Sequence, residues 1–189
     1  MHLYQNYSNP SKKHTFGWFF FCMEILKVMW YHLFDKLEFA GETMKQIRQA
    51  TVADLSRIAE IVVFNYRLNF YPIFRDDDYY FNELQVAKLA AQYKDIVGKM
   101  WVYDDGAVKG MVQIEGREIK KLFVEPALQG NCVGSSLLEY AITACGANTL
   151  WALEKNVRAI RFYKRHGFTV TTDKKFEEDT TEYLVRLER

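Results

Sequence analysis

The residues with the clearest chemical purpose form a glycine-containing turn between an extended apolar run and a helical run. The turn reads Gln129-Gly130-Asn131-Cys132-Val133-Gly134-Ser135. Ile119 to Val124 before it is typical of a strand, and Val133 to Ile142 has apolar residues at helical spacing. A strand that turns into a helix through glycines leaves several N–H groups unpaired, and the helix dipole adds to their attraction for anions. The sequence therefore predicts a site for the phosphate oxygens of a diphosphate.

Two common phosphate loops are excluded by the same residues. No Gly-Lys-Ser or Gly-Lys-Thr closes the segment, so it is not a nucleoside triphosphate loop. The spacing of Gly130 and Gly134 also differs from the Gly-x-Gly-x-x-Gly of dinucleotide sites. These two glycines would let the backbone approach a ligand with no side chain between them.

A second group of chemical residues lies further along the chain. Thr149 to Leu153 predicts a strand, Asn156 a helix N-cap, and Gly167 the end of a helix of about ten residues. Asn156, Ala159 and Tyr163 fall on one face of that helix. An amide and a phenol therefore point the same way.

Together the two segments resemble the GNAT superfamily of acetyl-CoA-dependent N-acetyltransferases. The family's loop reads Gln/Arg-x-x-Gly-x-Gly/Ala, and here Cys132 stands where the family usually has glycine. The family's Asn-x-x-Ala-x-x-x-Tyr-x-x-x-Gly-Phe signature is complete between Asn156 and Phe168. The resemblance covers Met44 to the C-terminus and implies a mixed α/β (α+β) fold. In that fold a mostly antiparallel, twisted central sheet is flanked by helices and splayed at the cofactor-binding strands.

The resemblance implies acetyl transfer from acetyl-CoA, as cosubstrate, to a primary amine of a small molecule or to a protein lysine or N-terminus. Asn156 is expected to contact the pantetheine arm and Tyr163 to lie by the thioester sulfur. A backbone N–H at the end of β-strand residues 122–124 is expected to polarise the thioester carbonyl. The expected cofactor-binding residues are Leu122, Phe123, Val124, Gln129, Gly130, Asn131, Cys132, Val133, Gly134, Ser135, Asn156, Ala159 and Tyr163.

Tyr163 is the expected catalytic residue. A phenol with a pKa of about 10 stays protonated at neutral pH and can donate to the departing sulfur. The alternative is an amphipathic core residue with a local hydrogen-bond partner. No general base is assigned, because the glutamates that flank the central strands are each more typical of solvated strand ends: Glu115, Glu118, Glu125 and Glu154.

Cys132 has two interpretations. It is either a small residue tolerated in place of glycine, with its N–H still facing phosphate, or a reactive thiol able to form a mixed disulfide with CoA. Since a Cβ restricts φ where glycine does not, the substitution bears on cofactor affinity.

Composition excludes several classes. The chain has 189 residues with 25 basic and 24 acidic side chains, so no charge footprint for nucleic acid is present. The pairs Lys120-Lys121 and Lys174-Lys175 are interpreted as solvated charges. Three cysteines without a Cys-x-x-Cys pair, and four scattered histidines, predict neither disulfides nor a metal site. The cytoplasm is the expected compartment.

Residues 1–43 form an N-terminal extension. Phe16 to Phe34 is long enough for a membrane span, but Glu24 and Lys27 each cost about 2.5–3.5 kcal/mol near a bilayer centre. A membrane partner is therefore not expected. Two interpretations stay open: an amphipathic helix, or translation assigned upstream of a start at Met44.

Residues 44–189 are predicted to form the N-acetyltransferase domain. The expected elements are strands at 45–49, 99–103, 108–114, 119–125, 149–153, 168–172 and 181–187, and helices after Thr51, over Glu83–Tyr93, after Cys132 and after Asn156. Asn65 to Tyr80, rich in aromatic and acidic residues, lies where the family builds its acceptor wall. That segment suits a cationic amine, although its aromatics could equally pack beneath a loop. A homodimer is compatible with the sequence. The alternative function is a non-catalytic acetyl-CoA-binding sensor or interaction module.

Overall fold

The computed structural model describes residues 46–178 and 180–189. The chain divides into two units, residues 1–42 and 43–189, and all described residues belong to the second. The predicted N-terminal extension therefore lies outside the described residues, as does the expected start of the first strand at Lys45. None of the helices within the described ranges is long and apolar enough to cross a membrane.

The described residues form a seven-stranded sheet with helices on both faces. The strand order is β1-β2-β3-β4-β5-β7-β6, and every adjacent pair is antiparallel except β4 and β5. The strands are β1 Ile47–Gln49, β2 Met100–Asp104, β3 Val108–Glu115, β4 Glu118–Val124, β5 Thr149–Leu153, β6 Thr169–Phe176 and β7 Tyr183–Glu188. This mixed, mostly antiparallel architecture confirms the predicted fold class.

Within residues 46–178 and 180–189, five α-helices connect or cover the strands: α1 Leu55–Asn69, α2 Tyr71–Phe74, α3 Val86–Gln92, α4 Val133–Thr143 and α5 Val157–Arg165. The predicted helix over Glu83–Tyr93 is shorter than expected, because Leu84 breaks it from the π-helical turn Asp78–Glu83. The last two strands also differ, since β6 extends through Lys174 and Lys175 to Phe176.

Alternating side chains of the sheet build two cores. Val112 and Ile114 of β3 face α4 and α5, where Leu137, Leu138 and Phe168 are fully buried. On the opposite face, Met111 packs with α1 and α3 in a second cluster that also contains Ile58, Ile61, Tyr93, Met100 and Val102. A sheet covered on both faces buries nearly every residue of its central strand. The central strands are thereby held rigidly on both sides.

The sheet opens between β4 and β5. These parallel strands pair only at Glu118 with Thr149 and at Ile119 with Leu150, although β4 continues to Val124 and β5 to Leu153. A bulge at Lys120 shifts the register of β4 against β3. It lies directly after Ile119, the last residue of β4 that pairs with β5. The predicted splay is confirmed.

Candidate active site

The gap between β4 and β5 forms a cleft of about 570 Å³. Its lining includes five of the predicted site residues: Leu122, Phe123, Asn156, Ala159 and Tyr163. The cleft also reaches aromatic side chains of the predicted acceptor wall: Tyr66, Phe70, Phe74, Tyr79 and Tyr80. The structure therefore joins the second motif and the acceptor segment in one cavity.

The backbone of β4 leaves polar groups free along this cleft. The Glu125 N–H donates to the Lys109 oxygen on β3 at 2.8 Å. Because N–H groups alternate in direction along an antiparallel strand, those of Leu122 and Val124 point away from β3 and toward the gap. Either can donate to a carbonyl oxygen placed between the strands.

The predicted phosphate loop follows the end of β4. Gly130 has φ +93° and Cys132 has φ +61°, so the chain turns through left-handed conformations into α4. The first bond of the helix runs from the Ser136 N–H to the Cys132 oxygen at 2.9 Å. In the described ranges, no group accepts a hydrogen bond from the N–H groups of residues 130–135. Six successive donors are thus available to an anion.

The loop contacts both sides of the splay without lining the cleft itself. A Cβ at Gly134 would lie 3.4 Å from Val124, 3.7 Å from Phe162 and 3.9 Å from Leu122. Gly134 therefore sits between the end of β4 and helix α5. The two predicted motifs lie side by side.

The side chain of Gln129 makes hydrogen bonds within the protein. Its Nε2 donates to the Asn65 Oδ1 at 3.1 Å and to the Val124 oxygen at 3.3 Å. The buried Asn65 Nδ2 also donates to Val124 at 2.9 Å. These bonds fasten helix α1 and the phosphate loop to the same strand end. The Gln129 side chain thus positions the loop, and its role in cofactor binding stays a prediction.

Asn156 begins helix α5 as predicted. Its Oδ1 accepts from the Ala159 N–H at 3.1 Å, which fixes the amide at the helix N-terminus. Within the described ranges its Nδ2 makes no hydrogen bond, so that donor is free to contact a ligand in the cleft.

Tyr163 follows on the same face of α5. Its ring lies edge-on against Phe162 and Phe168, with centroids 5.2 and 5.8 Å away, and only 8% of the residue is exposed. No hydrogen bond to its hydroxyl is found in the part of the chain that the structure describes. Burial raises the pKa of Tyr163 above its ordinary value, so the phenol keeps its proton at neutral pH.

The four glutamates considered as bases are all engaged in ion pairs. Their partners are Lys99 for Glu115, Lys120 for Glu118, Arg57 for Glu125 and Lys174 for Glu154. None of the four lines the cleft. Among the described residues, the carboxylates that do line it are Asp76, Glu177 and Glu178. Burial raises the pKa values of Tyr66, Tyr79 and Tyr80, and the negative charge of Glu177 adds a smaller contribution in the same direction.

Lys121 differs from the solvated charge expected from the sequence. It is half-buried in the cleft, and its Nζ donates to the Tyr93 hydroxyl at 3.0 Å. Desolvation lowers the pKa of Lys121. The burial of Lys121 could not be predicted from the Lys120-Lys121 pair, because the bulge at Lys120 decides which of the two side chains faces inward.

Cys132 is exposed and Cys145 is partly exposed, and both are free thiols. In the described ranges, no group of three or more His, Cys, Asp or Glu side chains is placed to hold a metal ion.

Part of the chain is similar in sequence to known acetyltransferases. Residues 96–170 match the family model of the acetyltransferase (GNAT) domain. The peptidyl-lysine N-acetyltransferase YjaB of Salmonella typhimurium is 34% identical over 74 residues, which cover 38% of this chain and 51% of that protein. The chain thus matches about half the length of this curated relative.

Solved structures share the fold at lower identity. Apo-form YjaB from Escherichia coli superposes with a TM-score of 0.57 at 22% identity, over 75% of this chain and 95% of that one. The PaiA N-acetyltransferase of Thermoplasma acidophilum, solved with coenzyme A, gives 0.59 at 16% identity, over 76% and 98%. At these identities the likeness establishes the fold.

Proposed function

We propose that the chain is an acetyltransferase of the GNAT superfamily, whose domain model its residues 96–170 match, and that it transfers an acetyl group from acetyl-CoA to a primary amine. The observation that carries this proposal is the open splay between β4 and β5. It has six free N–H donors at one end and the Asn156 amide and Tyr163 hydroxyl at the other.

The proposed roles follow from these groups. The N–H groups of residues 130–135, at the N-terminus of α4, bind the diphosphate. The free Nδ2 of Asn156 donates to the pantetheine arm. The N–H of Leu122 or Val124 stabilises negative charge on the thioester oxygen.

Tyr163 supplies the proton that the reaction needs at sulfur. As the amine nitrogen forms a bond to the acetyl carbon, the carbon–sulfur bond breaks and the phenol donates to the leaving thiolate. The amine attacks in its neutral form, and the proton that its nitrogen loses passes through solvent to the phenolate, which restores the phenol. Positioning both reactants in one cleft contributes much of the acceleration, since effective molarity is worth about 7–11 kcal/mol.

The acceptor is proposed to be a small-molecule amine or a protein lysine or N-terminus. The aromatic and acidic lining of the cleft supports a cationic amine, and the relative YjaB is named for peptidyl-lysine. The cytoplasm is the proposed compartment, because free thiols such as Cys132 persist where the medium is reducing.

Thiol release from acetyl-CoA tests the proposal directly. The purified protein is incubated with acetyl-CoA and a panel of alkylamines, amino acids and lysine peptides, and free CoA is measured. We expect release that depends on at least one acceptor. Tight calorimetric binding of acetyl-CoA with no release for any acceptor would instead support a non-catalytic sensor.

A further inference from the structure

Lys121 lines the cleft and has no role in the proposed acetyl transfer. Five lysines elsewhere in the described part of the chain form ion pairs on the surface: Lys99, Lys109, Lys120, Lys155 and Lys174. Lys121 has no carboxylate within ion-pair distance among the described residues. An ammonium withdrawn from water without an anion is unfavourable, so its position has a cost that a ligand could offset.

Tyr93 holds this ammonium in place. The Lys121 Nζ lies 3.0 Å from the Tyr93 hydroxyl and 4.9 Å from the centre of its ring. Tyr93 itself is only 3% exposed and belongs to the core shared by α1, α3 and the sheet. The ammonium is therefore held by a residue of the core, and among the described residues its other N–H donors make no hydrogen bond.

Lys121 also lies on the acceptor side of β4. Phe123, two residues further along the strand, packs against Tyr66 and Phe70 with centroids 5.6 and 6.3 Å away. Side chains two apart on a strand share a face, so Lys121 projects toward the same aromatic wall. Leu122, between them, packs instead with the core beneath α4 and α5.

The cleft thus carries charges of both signs. Asp76, Glu177 and Glu178 line it together with Lys121, and none of these carboxylates forms an ion pair with the lysine. A cavity of this kind matches a molecule that itself carries an ammonium and a carboxylate.

We propose that Lys121 is a specificity-determining residue that binds the carboxylate of a small-molecule acceptor, so that the acceptor carries an amine and a carboxylate together. This inference rests on the proposed acetyl transfer and names the substrate class of the same site. Tyr93 is the positioning residue that aims the ammonium.

The test compares amines that differ only in the carboxylate. Acetyl transfer is measured for ω-amino acids of four to six carbons and for alkylamines with the same number of methylenes, with wild-type protein and with Lys121→Met. For the best ω-amino acid we expect wild-type kcat/KM to exceed that of its alkylamine by about tenfold to a hundredfold, as for a charge-assisted hydrogen bond. Lys121→Met should abolish this preference, because kcat/KM for the ω-amino acid falls to about that of the alkylamine. Lys99→Met, which removes a surface lysine, should keep the preference.

Stability and binding measurements separate the possible failures. Removing a half-buried charge should leave the melting temperature of Lys121→Met equal to or above that of the wild type, whereas a merely structural lysine would lower it. Calorimetric titration of the same ω-amino acids into the CoA-saturated protein measures their binding affinity in the absence of acetyl transfer. Binding there that depends on Lys121 supports the inference even if the proposed transfer fails. Equal binding and equal turnover of both amine classes, or an equal loss of both in Lys121→Met, would overturn it.

Discussion

Tyr163 combines a protonated hydroxyl, deep burial and a place on the wall of the cleft. We predict that Tyr163→Phe lowers kcat by about a hundredfold, since a positioned proton donor typically contributes at least that much. The affinity for acetyl-CoA and the melting temperature should stay the same, because the hydroxyl makes no hydrogen bond within the described residues. Steady-state kinetics and calorimetry measure these quantities.

Tyr140→Phe is the matched control, since Tyr140 lies on α4 against Trp101 and outside the cleft. The pH dependence of kcat gives a second check. A raised pKa keeps the acid protonated as pH rises, so kcat should show no loss from Tyr163 ionisation below pH of about 10. A kcat unchanged in Tyr163→Phe would contradict the assigned role.

Cys132 adopts a φ of +61°, which explains why the family prefers glycine at this position. A residue with a Cβ costs about 1–2 kcal/mol in this left-handed conformation. Replacing it by glycine removes that cost, but glycine also makes the unfolded chain more flexible, which offsets part of the gain in stability. We predict that Cys132→Gly raises the free energy of unfolding by about 0.5–1 kcal/mol and keeps or tightens acetyl-CoA binding. Chemical denaturation and calorimetry measure both.

Cys132→Ala is the control for the thiol, because it keeps the Cβ and should match the wild type in stability and affinity. If alanine rather than glycine changed the affinity, the sulfur itself would be involved. A large loss of acetyl-CoA affinity in Cys132→Gly would show that Cys132 does not occupy the glycine position of the family's phosphate loop.

The sequence predicted where a side chain lies when the local backbone alone determines its position. Asn156 was expected at a helix N-cap and lies there, because Asn-capped helix starts depend on local sequence. The contacts that Gln129 and Lys121 make were not predicted, since their partners Asn65 and Tyr93 are distant in the chain. Contacts of that kind depend on tertiary packing, which the local pattern does not contain.

Among the secondary-structure elements, helix α4 owes its close approach to the sheet to Gly110 of β3. A Cβ on Gly110 would lie 3.0 Å from Leu137, 3.0 Å from the Phe123 oxygen and 3.1 Å from Val133. We predict that Gly110→Ala lowers the free energy of unfolding by about 1–3 kcal/mol, because the first turn of α4 must shift outward. The same shift should weaken acetyl-CoA binding several-fold.

Gly98→Ala is the matched control, because a Cβ there meets only the flexible end of Gln49 at 4.0 Å. Denaturation of both variants should show a loss for Gly110→Ala alone. Full stability together with full cofactor affinity in Gly110→Ala would contradict the proposed link between this contact and the phosphate loop.

Strongly periodic elements were predicted closely, and irregular ones were not. The strand before the loop and the helix after it agree with β4 and α4 to within a residue or two. The segment Glu83–Tyr93 was predicted as one helix, but its loosely periodic apolar residues did not reveal the break at Leu84. The length of β6 was also missed, because its exposed residues lack the apolar alternation that marks a strand.

At the scale of the whole molecule, the fold and cleft are built from the described part of the chain. The two cores described above use residues between Ile47 and Leu187, and the cleft lining runs from Tyr66 to Leu184. We propose that residues 44–189 form the acetyltransferase domain. A chain that starts at Met44 should therefore match the full chain in melting temperature and acetyl-CoA affinity.

Thermal denaturation and calorimetry of the two chains side by side test this boundary. An aggregated shorter chain, or one that no longer binds acetyl-CoA, would show that residues before Met44 belong to the working domain. The order of the elements and the splay were predictable because both motifs resemble the family; the acceptor was not, because its wall is irregular.

The central claim is that one ligand spans the splay from the amides at the start of α4 to Tyr163 on α5. Backbone amide NMR of the protein titrated with CoA tests it most directly. We predict that the largest shifts fall on residues 122–124 and 130–135 and on the first turn of α5 after Asn156. Shifts confined to other surfaces, or no shifts at saturating CoA, would contradict the account.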